Sequence, residues 1–116
     1  MTAFLGGNRV VLLENGERYF PDVFGALDAA TREIHIETYL FENDATGRRM
    51  ADALKCAAQR GVRVRVMVDG FGARPFVNEL MAEVESAGVE VLVFRRELRG
   101  FRIKRHRLRR LHRKII

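Results

Sequence analysis

Val62-Arg63-Val64-Arg65-Val66-Met67-Val68-Asp69-Gly70 carries the plainest structural signal in the chain. Its valines recur at every second residue, with Arg63, Arg65 and Met67 between them. That alternation is the pattern of a strand with one buried and one wet face. Asp69-Gly70 then breaks it and opens a loop holding Gly72 and Pro75. Upstream, Asp44-Ala45-Thr46 supplies a cap for a helix with apolar positions at Met50, Ala53, Leu54 and Ala57, which Gly61 ends. Downstream, a further helix is expected from about Phe76 to Ala87, closed by Gly88, with Val89–Phe94 as the next strand.

The same reading extends outward to both ends. Arg9–Leu13 is expected to form a short strand, and Asn15-Gly16 is a turn signal. From Tyr19, the residues Phe20, Val23, Phe24 and Leu27 recur at helical spacing through about Thr31. Ile34–Phe41 is a β-rich run whose apolar residues alternate at its start. Strands and helices therefore alternate. This predicts an α/β fold, one domain at most, with a mainly parallel sheet flanked by helices and right-handed crossovers. A chain of 116 residues, 47% hydrophobic, is long enough to enclose a core.

Charge is distributed unevenly. Residues 1–94 carry 10 Lys and Arg against 14 Asp and Glu, whereas residues 95–116 carry 11 against 1, so the net charge of +6 comes wholly from the tail. The basic segment 95–110 holds Arg95, Arg96, Arg99, Arg102, Lys104, Arg105, Arg107, Arg109 and Arg110, interleaved with Phe101, Ile103 and Leu108. A loop or loose helix is expected there, because so much like charge repels itself. Such a block points to phosphate-bearing partners, either anionic lipid headgroups or nucleic acid. The sequence has no apolar run long enough for a spanning helix, and its first residues lack the basic and apolar regions of a signal peptide. Cys56 is the single cysteine, which excludes an internal disulfide and a thiolate metal cluster, and reads as a small apolar filler on a helix.

Leu111-His112-Arg113-Lys114-Ile115-Ile116 reads as a last strand entering the sheet. On a strand, His112 and Lys114 share a face and Arg113 takes the other. A neutral imidazole beside an ammonium suits phosphoryl chemistry, the imidazole attacking phosphorus or taking a proton while the ammonium holds a phosphate oxygen. H-x-K alone is also a common accident of basic segments.

Ligands of open α/β sheets gather outside the carboxyl ends of strands, here near Glu42, at Asp69-Gly70 and at Arg95. Glu37 lies mid-strand and is harder to explain as solvated. Glu37 is either a carboxylate that orients an imidazole or a paired structural charge. Asp69, ahead of Gly70, is either a turn former or part of the site. His35 alternates with Ile34 and Ile36, which puts it on the less buried face, and His106 belongs to the basic block. No glycine-rich nucleotide loop and no paired-histidine metal spacing is present, so neither metal nor cofactor is expected.

With these residues in place, the chain resembles the amino-terminal part of bacterial cardiolipin synthases of the phospholipase D superfamily. The likeness rests on an ordered series: Gly7-Asn8-Arg9-Val10 with Leu13-Glu14-Asn15-Gly16, Tyr19-Phe20-Pro21, Ile36-Glu37-Thr38-Tyr39, Arg60-Gly61-Val62-Arg63-Val64 running to Val68-Asp69-Gly70, Ala87-Gly88-Val89 with Val93-Phe94, and Leu111–Ile116. The family signature is H-x-K-x-x-x-x-D. His112 and Lys114 match it, and its Asp would fall beyond Ile116.

The resemblance implies a phospholipase D-like half-domain spanning residues 1–116 and truncated within the first of two motifs. It implies catalysis by His112 and Lys114 through a covalent phosphohistidine, without metal. A missing second half or second subunit would complete the site, and the chain by itself would be inactive. It also implies phosphatidylglycerol-type substrates, with Arg99, Arg102, Lys104, Arg105, Arg107, Arg109 and Arg110 meeting anionic phospholipid, phosphatidylglycerol or cardiolipin, at the inner face of a bacterial cell membrane. Two rival readings remain: a nuclease of the same superfamily, with the arginines on backbone phosphates, and a non-catalytic module that binds anionic membrane or nucleic acid.

Overall fold

The computed structural model describes residues 3–95 and 111–116. In chain order its elements are α1 (Asn15–Ala29), β1 (Glu33–Thr38), α2 (Ala45–Gln59), β2 (Arg63–Asp69), α3 (Arg74–Glu79), α4 (Met81–Ser86), β3 (Glu90–Phe94) and β4 (Lys114–Ile115). They build one sheet in the order β3-β2-β1-β4. β1 pairs with β2, and β2 with β3, in parallel, while β4 runs antiparallel along the other edge of β1. This is the α/β architecture expected, with one antiparallel strand where the motif enters.

Each parallel crossover steps to the next strand in the same direction, so right-handed connections put the crossover helices on a single face. Burial agrees. Ile34 and Ile36 of β1 and Val64, Val66 and Val68 of β2 are buried with Val23, Phe24, Leu27, Leu54, Phe76, Leu80 and Val84 of the helices. Glu33, His35, Arg63, Arg65 and Glu90 alternate with them and are exposed. Burying each large apolar side chain contributes about 1.5–3 kcal/mol. Phe76, fully buried, stacks on Phe41 with ring centroids 4.3 Å apart, and so ties the loop after β1 to the core.

The helix ends follow their sequence signals. The Asp44 carboxylate accepts the Gly47 N–H at 2.8 Å and caps α2. Gly61 and Gly88 both adopt positive φ (86° and 100°). The next residues, Val62 and Val89, reach back to the Ala57 and Val84 carbonyls at 3.1 Å and so turn each helix into its strand. Arg60 donates from Nη2 to the Leu27 and Asp28 carbonyls (3.0 and 3.2 Å), which satisfies the C-terminus of α1 from a neighbouring helix. Lys55 joins α2 to α4 through Glu83 and lies 2.9 Å from Asp52, and its hydrogen bonds to these two carboxylates raise its pKa above the usual lysine value.

Several expectations need correction. Arg9–Leu13 forms no strand; Val10 and Leu12 stand 93% and 85% exposed, because the segment finds no sheet edge among the described residues and strands gain their stability from pairing. The turn signal Asn15-Gly16 opens α1, which starts four residues before the Tyr19 expected: Asn15 takes a φ of 51° and its Oδ1 accepts the Glu17 N–H at 3.0 Å. The helix expected from Phe76 to Ala87 is interrupted at Leu80, whose φ widens to −117° and lets both Leu80 and Met81 turn into the core. Cys56 sits exposed on α2 rather than filling a gap. The loop or loose helix expected over the basic segment lies outside the described residues, apart from Arg95, whose guanidinium stands 5.1 Å above the Phe94 ring.

Candidate active site

The site is built where the carboxyl ends of β1 and β2 meet the incoming motif strand. Thr38 pairs with Lys114 and Glu37 with Ile115, so paired residues share a face of the sheet. The Tyr39 N–H extends the ladder by donating to the Arg113 carbonyl at 3.0 Å. The strand expected over Leu111–Ile116 is shorter: only Lys114 and Ile115 pair as β4. His112 and Arg113 lead into it in extended chain that still turns their side chains apart. The Lys114 ammonium lies 3.3 Å from Nε2 of His112. Arg113 is turned away from both, with Nη1 donating to Glu37 Oε2 at 2.9 Å. Of the two readings of Glu37, the paired charge is the arrangement present: it binds Arg113 and does not reach the imidazole.

Asp69 ends β2 and is 1% exposed, the only buried acidic side chain among the described residues. Both of its oxygens are used. Oδ1 accepts the N–H groups of Phe71 and Gly72 at 2.9 and 3.1 Å, and Oδ2 accepts the N–H of Leu111 at 2.9 Å. One carboxylate thus shapes the turn after β2 and anchors the residue immediately before His112. It has no direct bond to the imidazole.

A groove of about 570 Å³ opens beside the pair, lined by Tyr19, Phe20, Leu40, Met50, Ile115 and Ile116, with Lys114 in its wall. The arrangement therefore joins the Lys114 cation to a mainly apolar trough whose lining also includes Glu37, Glu42 and Asp44, with His112 next to Lys114 and outside it. Chemically, the Lys114 ammonium can only donate, so this contact sets a fixed positive charge beside Nε2 of His112.

The structure brings His112, Lys114 and Asp69 into one neighbourhood with Glu37 on the far side of the strand. Arg99, Arg102, Lys104, Arg105, Arg107, Arg109 and Arg110, along with His106, lie outside the described residues. His35 is half exposed, 3.6 Å from Glu33, on the open face. Sequence reasoning gave no role to Tyr39, whose ring centroid is 5.2 Å from that of His112, or to Gly72 beneath it. The available signal was position: Tyr39 follows β1 directly at its carboxyl end.

Comparison with known proteins places this geometry. Residues 23–116 match the family model described as cardiolipin synthase, PLD-like domain. The chain is 40% identical over 110 residues to cardiolipin synthase B of Escherichia coli K12, covering 95% of this chain and 27% of that protein. It is 36% identical over 109 residues to the probable cardiolipin synthase YwiE of Bacillus subtilis 168, covering 94% and 22%. A further relative is the cardiolipin synthase of Geobacillus kaustophilus HTA426, 34% identical over 87 residues, covering 75% and 17%. The chain thus spans about a quarter of the length of the first of these relatives. A polyphosphate kinase from Porphyromonas gingivalis overlaps 65% of the chain at 20% identity with a TM-score of 0.46, too low to carry an argument. With 94 of its 116 residues inside the matching model, the chain belongs to the cardiolipin synthase family of phospholipase D-like domains.

Proposed function

We propose that this chain supplies one half of a phosphatidyltransferase site acting on phosphatidylglycerol-type phospholipids. The observation that carries the reading is the His112–Lys114 pair, 3.3 Å apart where the chain enters β4, in a chain of this family. In the first step an imidazole nitrogen forms a bond to phosphorus as the bond to the departing alcohol oxygen breaks. A second imidazole gives that oxygen its proton. In the second step the same imidazole takes the proton of the incoming alcohol, whose oxygen bonds to phosphorus and releases the first histidine. His112 fills one of these two roles, and Lys114 neutralises phosphate oxygens as charge develops. The apolar groove alongside Lys114 suits a phosphodiester that carries hydrocarbon better than a polynucleotide.

Two imidazoles are needed, and the 116 residues hold one H-x-K pair. The chain alone therefore does not turn over; a second motif, from a further part of the same protein or from another subunit, completes the site. In the complete gene product, His112→Ala is expected to lower phosphatidyl transfer from phosphatidylglycerol about a thousandfold or more. Unchanged transfer in that variant would overturn the assignment of His112, and His112-dependent product formation by the 116-residue chain alone would overturn its inactivity.

The basic segment is proposed to dock this site on an anionic bilayer, each Lys or Arg near the surface contributing about 1 kcal/mol before screening. The chain is expected to bind phosphatidylglycerol vesicles and not phosphatidylcholine vesicles, and to lose binding when Arg105, Arg107, Arg109 and Arg110 are changed to Gln. Equal sedimentation with both vesicle types would refute it. Among the described residues no helix is long and apolar enough to cross a membrane.

A further inference from the structure

We propose that Tyr39 is a positioning residue for His112, fixing the plane of the imidazole from the end of β1, and that Gly72 leaves the space this requires. The proposal rests on the reading of His112 as the reacting group. His112 is exposed near the start of the motif strand. The torsion that orients its ring is broad, so the backbone alone does not set where Nε2 points. Two side chains do: Lys114, which meets Nε2 at 3.3 Å, and Tyr39, whose ring lies against the imidazole at 5.2 Å and 53°. A half-turn of the imidazole keeps its plane and is opposed by Lys114, which would lose Nε2, whereas a partial turn out of that plane is opposed by the contact with the Tyr39 ring.

Tyr39 is itself held from two sides. Its N–H donates to the carbonyl of Arg113, the residue after His112. On its other side the turn after β2 rides directly on it. A Cβ at Gly72 would stand 2.4 Å from the Tyr39 carbonyl oxygen and 2.8 Å from its ring, so only glycine fits. The Gly72 N–H is bound by Asp69, the same carboxylate that binds the N–H of Leu111, the residue before His112. The imidazole is thus bracketed in the backbone by Asp69 and Tyr39, and in the side chain by the Tyr39 ring, with Asp69 and Gly72 linking the two.

The test reads the ring rather than turnover, so it does not depend on whether the chain transfers phosphatidyl groups. In the 116-residue chain labelled with ¹⁵N-histidine, long-range ¹H–¹⁵N spectra report the tautomer and ring-proton shifts of each histidine. Tyr39→Phe is expected to leave the His112 signals in place. Tyr39→Leu is expected to move them to the positions of a free imidazole, with the His35 signals unmoved and the position 39 amide still protected from hydrogen exchange. Unmoved His112 signals in Tyr39→Leu would overturn the proposal. So would movement accompanied by loss of that amide's protection, which would make Tyr39 a structural residue only. Gly72→Ala keeps both rings and displaces one, so it provides the second variant: it is expected to shift the same His112 signals, and unshifted signals would count against the proposal.

Discussion

Asp69→Asn is expected to release residues 111–116 from the sheet while leaving the turn after β2 closed. The carboxylate accepts three N–H groups, two on Oδ1 and one on Oδ2. An amide has one acceptor oxygen and one donor nitrogen. If its oxygen keeps Phe71 and Gly72, its NH₂ faces the N–H of Leu111, and two donors oppose each other. The reverse orientation sets the NH₂ against two N–H groups and is worse. The variant therefore keeps the turn and frees the motif strand. Asp69→Ala removes both acceptor oxygens, and with them three hydrogen bonds, from a site 1% exposed. These bonds are part-buried, so each is expected at the low end of the roughly 1–3 kcal/mol range for such a loss, about 3 kcal/mol for the three together. That is a large share of a domain stability of about 5–15 kcal/mol. Urea unfolding gives the stability loss, and hydrogen exchange at Leu111 and Tyr39 gives the strand. Leu111 protection equal to the native chain's in Asp69→Asn would refute the argument.

What was legible in the sequence divides along local and non-local lines. The stretch from Val62 to Val68 could be read because one face of β2 packs on helices, and period-two burial leaves its mark on every residue. The Asp44 cap and the helix stops at Gly61 and Gly88 could be read because each is settled within a single turn of backbone. Arg9–Leu13 could not be read, since strand propensity does not say whether an edge is available to pair with. Asn15-Gly16 showed its turn chemistry, but the same chemistry opens a helix as readily as it closes a hairpin.

The site divides the same way. That His112 and Lys114 share a face follows from alternation alone. That Glu37 meets Arg113 rather than His112 follows from the register of β4 against β1, a pairing between residues 76 positions apart that no local pattern encodes. Asp69 was visible as a turn former, and it is one. Its second oxygen reaches Leu111 across 42 positions, and that bond ties it to the residue before His112. The contact of Tyr39 with His112 and the fit of Gly72 against Tyr39 are equally non-local. The residues proposed to carry the chemistry were thus marked by type and spacing, whereas those proposed to aim them were marked only by where three distant segments end.

The same logic gives opposite signs to one substitution at two helical glycines. Gly25 lies exposed within α1, and a Cβ added there would meet nothing within 4 Å, so Gly25→Ala is expected to stabilise by up to about 1 kcal/mol through helix propensity alone. Gly47 lies buried in the first turn of α2, where a Cβ would stand 1.8 Å from the Glu42 carbonyl oxygen and 2.9 Å from its carbon. Neither side can yield easily. The loop is pinned by Phe41 against Phe76, and the helix by Met50 and Leu54 in the core. Overpacking of backbone on backbone costs about 3 kcal/mol, which exceeds the propensity gain, so Gly47→Ala is expected to destabilise by about 2 kcal/mol net. The displaced segment begins directly after Tyr39 and Leu40, so the loss should also appear as broadened His112 ring signals, which Gly25→Ala leaves sharp. Urea midpoints of the two variants on either side of the native value would bear this out. A Gly47→Ala midpoint at or above the native one would mean that the loop after β1 yields freely, and that the rigid footing assigned to Tyr39 is absent.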